Sequence, residues 1–282
     1  MIGYNRLGSN GRLGNQMFQY AALRGIAAHH KYSWVVPSPN GPHQTNYGLF
    51  DCFEMTGVSE NNFGLVPKNF PTHKASTGAF DEAFFNGCPD NCNIEDYFQT
   101  EKYFTHIKDE IKRDFQFRAE HLELCKNFIS QIGDVIFLHI RRGDHINLQY
   151  YHPVCELEYY ERALKKFDEN IPVLIFSDDI PWCSQQKMFS SDRFLLSEGG
   201  ERYAHVHLDG DGQMRHSLIP YIDLCLMSLC SGGIIANSSM SWWGAWLQSN
   251  PNKKVIAPKM WFGPAYADKD IKDLYCSDWI VL

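Results

Sequence analysis

The sequence predicts an α/β protein made of two Rossmann-like units. Three observations carry this. In the second half, short apolar runs alternate with helical patterns, as in βαβ units that build a parallel sheet. Three of those runs end in polar clusters: Arg141-Arg142-Gly143-Asp144, Ser177-Asp178-Asp179 and Asn237-Ser238-Ser239. The first half opens as strand, glycine-bearing loop, helix and strand.

Taken in order, residues 1–6 read as a first strand and 7–14 as a loop containing Gly11 and Gly14. A helix is expected over 15–30, where Phe18, Ala22 and Ile26 recur at four-residue spacing. Residues 33–36 read as a strand stopped by Pro37. Residues 37–96 are rich in Pro, Asn, Gly and Phe, show few periods and read as loop. The pattern over 101–131 is helical and highly charged. Strands then follow at 135–140, 173–176, 206–208, 233–236 and 255–257. Helices alternate with them at 157–167, 219–229 and 241–248. The expected division is an N-terminal domain over 1–130 and a C-terminal domain over 131–282.

A chain of 282 residues is long enough to bury a large core, and 44% apolar content makes it globular. A net charge of -7 argues against a general nucleic-acid surface, though a few arginines in one site still bind an anion. No apolar run is long enough for a transmembrane helix, and no signal peptide is visible. The nine cysteines are therefore read as reduced thiols of a cytoplasmic protein. Cys88 and Cys92 flank a Pro-Asp-Asn turn, and for this pair a disulfide or two metal ligands are the alternatives to free thiols. No second Cys/His pair with zinc spacing accompanies them.

In a parallel sheet the three polar clusters share one edge, where ligands bind. Arginine's fork binds phosphate bidentately and stays charged. Asp178 and Asp179 suit ribose hydroxyls or base N–H groups. Ser238 and Ser239 precede a helix, whose free N–H groups take phosphate; the structural alternative is that Ser239 or Ser241 is simply an N-cap. The mixture points to a nucleotide. The Asp178-Asp179 pair suits Mg²⁺ as well, but two arginines already supply countercharge, so a metal-free site is favoured. Gly11-Arg12-Leu13-Gly14 is a second candidate loop, matching neither the dinucleotide fingerprint nor the phosphate loop. His205 and His207, on the expected short strand, have no third ligand and read as structural. Asp209-Gly210-Asp211-Gly212 lacks the ligands of a calcium loop and reads as a turn. Asn237-Ser238-Ser239 is formally a glycosylation sequon, expected to be unused. Trp242 and Trp243 are read as core packing.

The ordered set Gly11-Arg12-Leu13-Gly14-Asn15-Gln16-Met17, His139-Ile140-Arg141-Arg142-Gly143-Asp144, Ser177-Asp178-Asp179 and Asn237-Ser238-Ser239-Met240-Ser241-Trp242-Trp243-Gly244-Ala245-Trp246 resembles the α-1,2-fucosyltransferases of glycosyltransferase family 11. Pro258 and Trp261-Phe262 extend the likeness. The resemblance is to soluble bacterial-type members, since no N-terminal membrane anchor precedes the core. It implies a GT-B-like fold, two Rossmann-like domains facing a central cleft. The N-terminal domain would be acceptor-side and the C-terminal one would bind the GDP-sugar.

The resemblance further implies GDP-fucose as donor, a galactoside 2-hydroxyl in a glycan as acceptor, inversion, and no metal or other cofactor. Arg141 would hold the β-phosphate, His139 and Asp223 would lie near the guanine, and Ser238 and Ser239 would touch the diphosphate. Gly14 and Asn15 would approach phosphate and fucose, and Asp178 is taken with the donor contacts. Arg141, Asp144 and Asn15 are the expected catalytic residues. Asp144 either serves as base, in competition with His145, or orients Arg141 through a salt bridge. Arg142, alternating to the other face, is expected to be structural. Two other readings keep the scaffold: transfer from or to a different substrate, or a non-catalytic nucleotide-sugar-binding protein.

Overall fold

The computed structural model describes residues 1–41, 47–197 and 219–282. The expected strand at 206–208, with His205, His207 and the Asp209–Asp211 turn, lies outside the described residues. The chain divides into two compact units, Met1–Arg118 with Asp268–Ser277, and Ala119–Ala267 with Asp278–Leu282. The division thus falls at 118/119 instead of 130/131, and two short C-terminal segments go to opposite units from their neighbours.

The first unit begins with β1 (Ile2–Gly3), α1 (Leu13–His30) and β2 (Trp34–Val35). The expected strand over 1–6 is cut short because the chain turns at Tyr4, whose carbonyl accepts from Leu7 N–H at 3.1 Å. Helix α1 is long, alanine-rich and almost wholly buried. The buried amide of Gln16 is satisfied: its Nε2 donates to Gly11 O and its Oε1 accepts from Gly48 N–H, both at 3.1 Å. Lys31, at φ 58°, ends the helix in a left-handed cap. Gly25 is required by close approach, since a Cβ there would lie 1.9 Å from Tyr103 O.

The region read as loop holds α2 (Leu49–Cys52), β3 (Thr72–His73), α3 (Glu82–Gly87) and β4 (Cys92–Ile94). With β1 and β2 these strands form a parallel sheet in the order β2-β1-β4-β3. The helical pattern over 101–131 is also interrupted. It yields two single turns, then α4 (Lys108–Asp114) and α5 (Ala119–Ile132). The break at 115–118 has a tertiary cause. Phe117 pairs with Phe53 in an isolated bridge, and Arg118 N–H donates to Cys52 O at 3.1 Å.

The second unit contains β5 (Ile136–Ile140), α6 (Leu157–Leu164), β6 (Val173–Ser177), α7 (Ile180–Ser184), β7 (Phe194–Leu196), α8 (Ile219–Leu229), β8 (Gly232–Ile234), α9 (Ser239–Leu247), β9 (Val255–Ala257) and β10 (Ile280–Val281). Its six strands are all parallel, in the order β10-β9-β8-β5-β6-β7. Both faces of β5 are buried, as an all-parallel sheet requires. Ile136, Leu138 and Ile140 pack with Tyr159, Tyr160 and Ala163 of α6. On α9, Trp242, Trp243 and Trp246 are buried and pack ring against ring, so they belong to the core as expected. Strands β7 and β10 are too short to show a period in the sequence.

A buried charge cluster ties α4 to α1 in the first unit. Asp114 of α4 pairs with Arg24 of α1, accepts from Tyr20 Oη at 2.9 Å and from Gly57 N–H at 2.7 Å, and Arg24 lies 4.8 Å from the Trp34 ring centroid. Asp114→Ala leaves a mostly buried guanidinium uncompensated, so urea unfolding should report a loss of about 3–5 kcal/mol. A loss below about 1 kcal/mol would show that α1 is held by packing alone.

Candidate active site

Strands β8, β5 and β6 are neighbours and parallel, so the three polar clusters lie on one sheet edge. Ile140 pairs with Ser177 across β5 and β6, which brings Arg141 opposite Asp178. The Arg141 guanidinium forms ion pairs with Asp178 through one nitrogen and with Asp144 through the other. Asp178 is fully engaged: its second oxygen accepts from Arg142 N–H at 2.8 Å. Gly143 is needed here because a Cβ would meet Asp178 Oδ2 at 2.4 Å.

Arg142 turns away from Arg141. Its Nε donates to Asp179 Oδ2 at 3.1 Å, and its guanidinium carbon lies 3.8 Å from the Trp182 ring centroid. Asp179 also caps α7, accepting from Trp182 N–H at 3.1 Å. The structural role expected of Arg142 therefore has named partners. Asp179 and Trp182 were not singled out in that role, because only the fold brings them under Arg142.

On the neighbouring strand end, Asn237 is a staple. Its Nδ2 donates to Pro153 O at 2.8 Å and Trp261 O at 3.2 Å. The sequon asparagine is buried and already hydrogen-bonded, so glycan attachment at it is closed off. Ser238, not Ser239 or Ser241, is the N-cap of α9, yet its hydroxyl makes no capping bond. The Ser238 and Ser239 hydroxyls are half-exposed, and the N–H groups of the first helical turn are free of helical partners. Ser241 points inward, its Oγ donating to Ser238 O at 3.3 Å.

Four buried side-chain atoms of the same unit have no hydrogen-bond partner among the described residues: His139 Nδ1, His145 Nδ1, Asp223 Oδ1 and Gln248 Oε1. His139 on β5 is buried, with Nδ1 unpaired. Desolvation pushes its imidazole down to about 3, so it is neutral near pH 7. Asp223 on α8 is buried with Oδ1 unpaired, and desolvation pushes its carboxyl up to about 7. Orphaned buried polar atoms of this kind call for a partner from outside. His145 is also buried, stacked on His152 at 5.3 Å, and desolvation lowers its basicity. That leaves Asp144, 46% exposed, as the more accessible of the two expected base candidates.

In the first unit, α1 starts at Leu13, so Gly14 and Asn15 lie in its first turn and not before it. Asn15 Oδ1 accepts from Gln99 Nε2 at 3.0 Å. Gly11, at φ 81°, would push a Cβ to within 2.6 Å of Asn15 Nδ2, so the loop is built around this asparagine. Among the described residues no group of three or more acidic, cysteine or histidine side chains is placed to hold a metal.

A family model described as Glycosyl transferase family 11 matches residues 68–282. The O-antigen biosynthesis glycosyltransferase WbnK of Escherichia coli is 26% identical over 97% of this chain and 98% of its own length. An α-1,2-colitosyltransferase of Escherichia coli is 29% identical over 89% of this chain and 90% of its own. The mouse galactoside 2-α-L-fucosyltransferase Sec1 is 24% identical over 84% of this chain and 62% of its own. Among solved structures, the NodZ α-1,6-fucosyltransferase soaked with GDP-fucose, a protein of Bradyrhizobium, superposes with a TM-score of 0.52 at 14% identity, over 89% of this chain and 96% of that one. The fold is of the GT-B class, α/β with parallel sheets in Rossmann-like units. The chain belongs to glycosyl transferase family 11.

Proposed function

We propose that the protein transfers L-fucose from GDP-fucose to the 2-hydroxyl of a galactoside in a glycan, with inversion. The observation that carries this is Arg141, held by Asp144 and Asp178 at the carboxyl edge of a parallel sheet, one strand from the open N-terminus of α9. The leaving diphosphate gains charge as its bond to fucose lengthens. Arg141 and the α9 N–H groups stabilise that charge where it develops, which accelerates the step rather than merely tightening binding. No step is assigned to a metal. The donor reading is supported by the likeness to a fucosyltransferase crystal soaked with GDP-fucose, and the acceptor reading by the galactoside 2-α-L-fucosyltransferase relative.

In this reading the C-terminal unit binds the donor. Neutral His139 and the Asp223 carboxylate answer the guanine edge, which explains why both are kept buried and unpaired. Ser238 and Ser239 touch the diphosphate. Gly14 and Asn15, in the first turn of α1, are further proposed ligand contacts. Asp178 acts through Arg141. All nine cysteines are free thiols, which fits a cytoplasmic setting. The colitosyltransferase relative favours one variation, transfer of a different deoxy sugar to the same hydroxyl. Competition between fucosyl and colitosyl donors decides it.

Arg141→Ala should lower turnover about 10²–10³-fold. Activity within about tenfold of the parent would sink the assignment. GDP affinity should rise with pH through about 7, because an ionised Asp223 accepts from guanine N–H groups and a protonated one does not. Calorimetry on Asp223→Asn should show weaker GDP binding with that pH dependence removed; a pH dependence that persists assigns it elsewhere. Asp144→Asn removes a competitor of phosphate for Arg141, so GDP affinity should hold or rise while transfer falls at least about tenfold. Loss of GDP affinity together with transfer would make Asp144 an orienter of Arg141 and nothing more.

A further inference from the structure

Two residues after Asp144 comes a run, Ile146-Asn147-Leu148-Gln149-Tyr150-Tyr151, in which every residue is exposed. Tyr150 is 63% exposed and Tyr151 42%. The run carries no charge. Its backbone is nonetheless fixed. Ile146 N–H donates to Arg142 O at 2.9 Å and Tyr151 N–H to Leu148 O at 2.8 Å. The carbonyls of Tyr150 and Tyr151 accept from Ala265 N–H at 2.9 Å and Gly263 N–H at 2.8 Å. Gly263 allows this approach, since a Cβ there would lie 2.5 Å from Tyr150 O. The layer beneath is aromatic: His145 stacks on His152, and Tyr151 meets Tyr266 edge-on at 5.6 Å.

An ordered support that presents tyrosine and leucine to water marks a binding surface. Its chemistry selects the occupant. Tyrosine faces take the C–H face of a pyranose ring, and the amides of Asn147 and Gln149 pair with hydroxyls. An anionic partner is disfavoured, because the run has no lysine or arginine and the chain carries a net charge of -7. The occupant that fits is a neutral sugar, and Arg141 and Asp144 stand at the start of the same segment.

We infer that residues 146–151 form a subsite for the galactoside acceptor, with Tyr150 as the stacking platform. This rests on the galactoside-transfer reading, and it puts part of acceptor recognition on the C-terminal unit. Lactose is titrated into the GDP-loaded full chain by saturation-transfer NMR, and GDP-fucose hydrolysis is measured without acceptor. Tyr150→Ala should raise the lactose Kd roughly tenfold, Tyr150→Phe should stay within about twofold, and hydrolysis should be unchanged in both. An unchanged Kd in Tyr150→Ala overturns the subsite. So does a parent that hydrolyses GDP-fucose but does not bind lactose. Weaker retention of Tyr150→Ala on phosphatidylcholine vesicles with the lactose Kd unchanged also overturns it, in favour of a lipid surface. A parent that binds lactose through Tyr150 but never turns over GDP-fucose keeps the subsite and sinks the transfer reading.

Discussion

A guanidinium at the end of a buried, all-parallel sheet is the constraint on which the site depends. Arg141 never loses its charge, and its side chain is only 19% exposed. It must be compensated by the strand next door, and the register of β5 against β6 supplies Asp178 for this. A one-residue slip would turn the alternate side chains to the wrong face and separate cation from carboxylate. The aim of the cation is therefore a property of the whole sheet core, of Ile136, Leu138 and Ile140 against α6 as much as of the polar residues themselves.

The adjacent arginine shows the same logic with the opposite outcome. Arg142 is paired to Asp179 and laid on Trp182, so little of its guanidinium is left for a ligand. Such a half-exposed pair contributes modestly to stability. Its use is geometric. Asp179 ties the end of β6 to the start of α7 while holding Arg142, and Asp178 holds the Arg142 backbone. Two arginines and two aspartates thus interlock two strand ends, and only Arg141 keeps a partner that solvent or a ligand reaches freely.

The sequence made this edge legible because β5, β6 and β8 are apolar runs that stop at polar residues, and parallel connectivity places such stops together. The first unit was less legible. β4 is three residues long, Cys-Asn-Ile, and its place beside β1 comes from pairing, not from any period within it. The break between α4 and α5 comes from Phe117 pairing with Phe53, sixty-odd residues away in the chain, against a locally helical pattern. Gly143 carried a motif but no reason until Asp178 was seen against it. The orphaned oxygen of Asp223 was equally hidden, since burial among helix neighbours is not written in the residue itself.

The two carboxylates on Arg141 are not equivalent, and the difference gives the site a direction. Asp178 is tied to two groups, the guanidinium and the Arg142 N–H. Among the described residues Asp144 holds only the guanidinium, and it is the more exposed of the two. A diphosphate reaching Arg141 competes for the same N–H donors, and it displaces the partner with least to lose. In the proposed reaction that partner is Asp144, whose carboxylate then stands uncompensated where the chain enters the exposed 146–151 run. Under that proposal, Asp144 as arginine partner and Asp144 as base are two states of one cycle: partner while the site is empty, proton acceptor once the donor has taken its place.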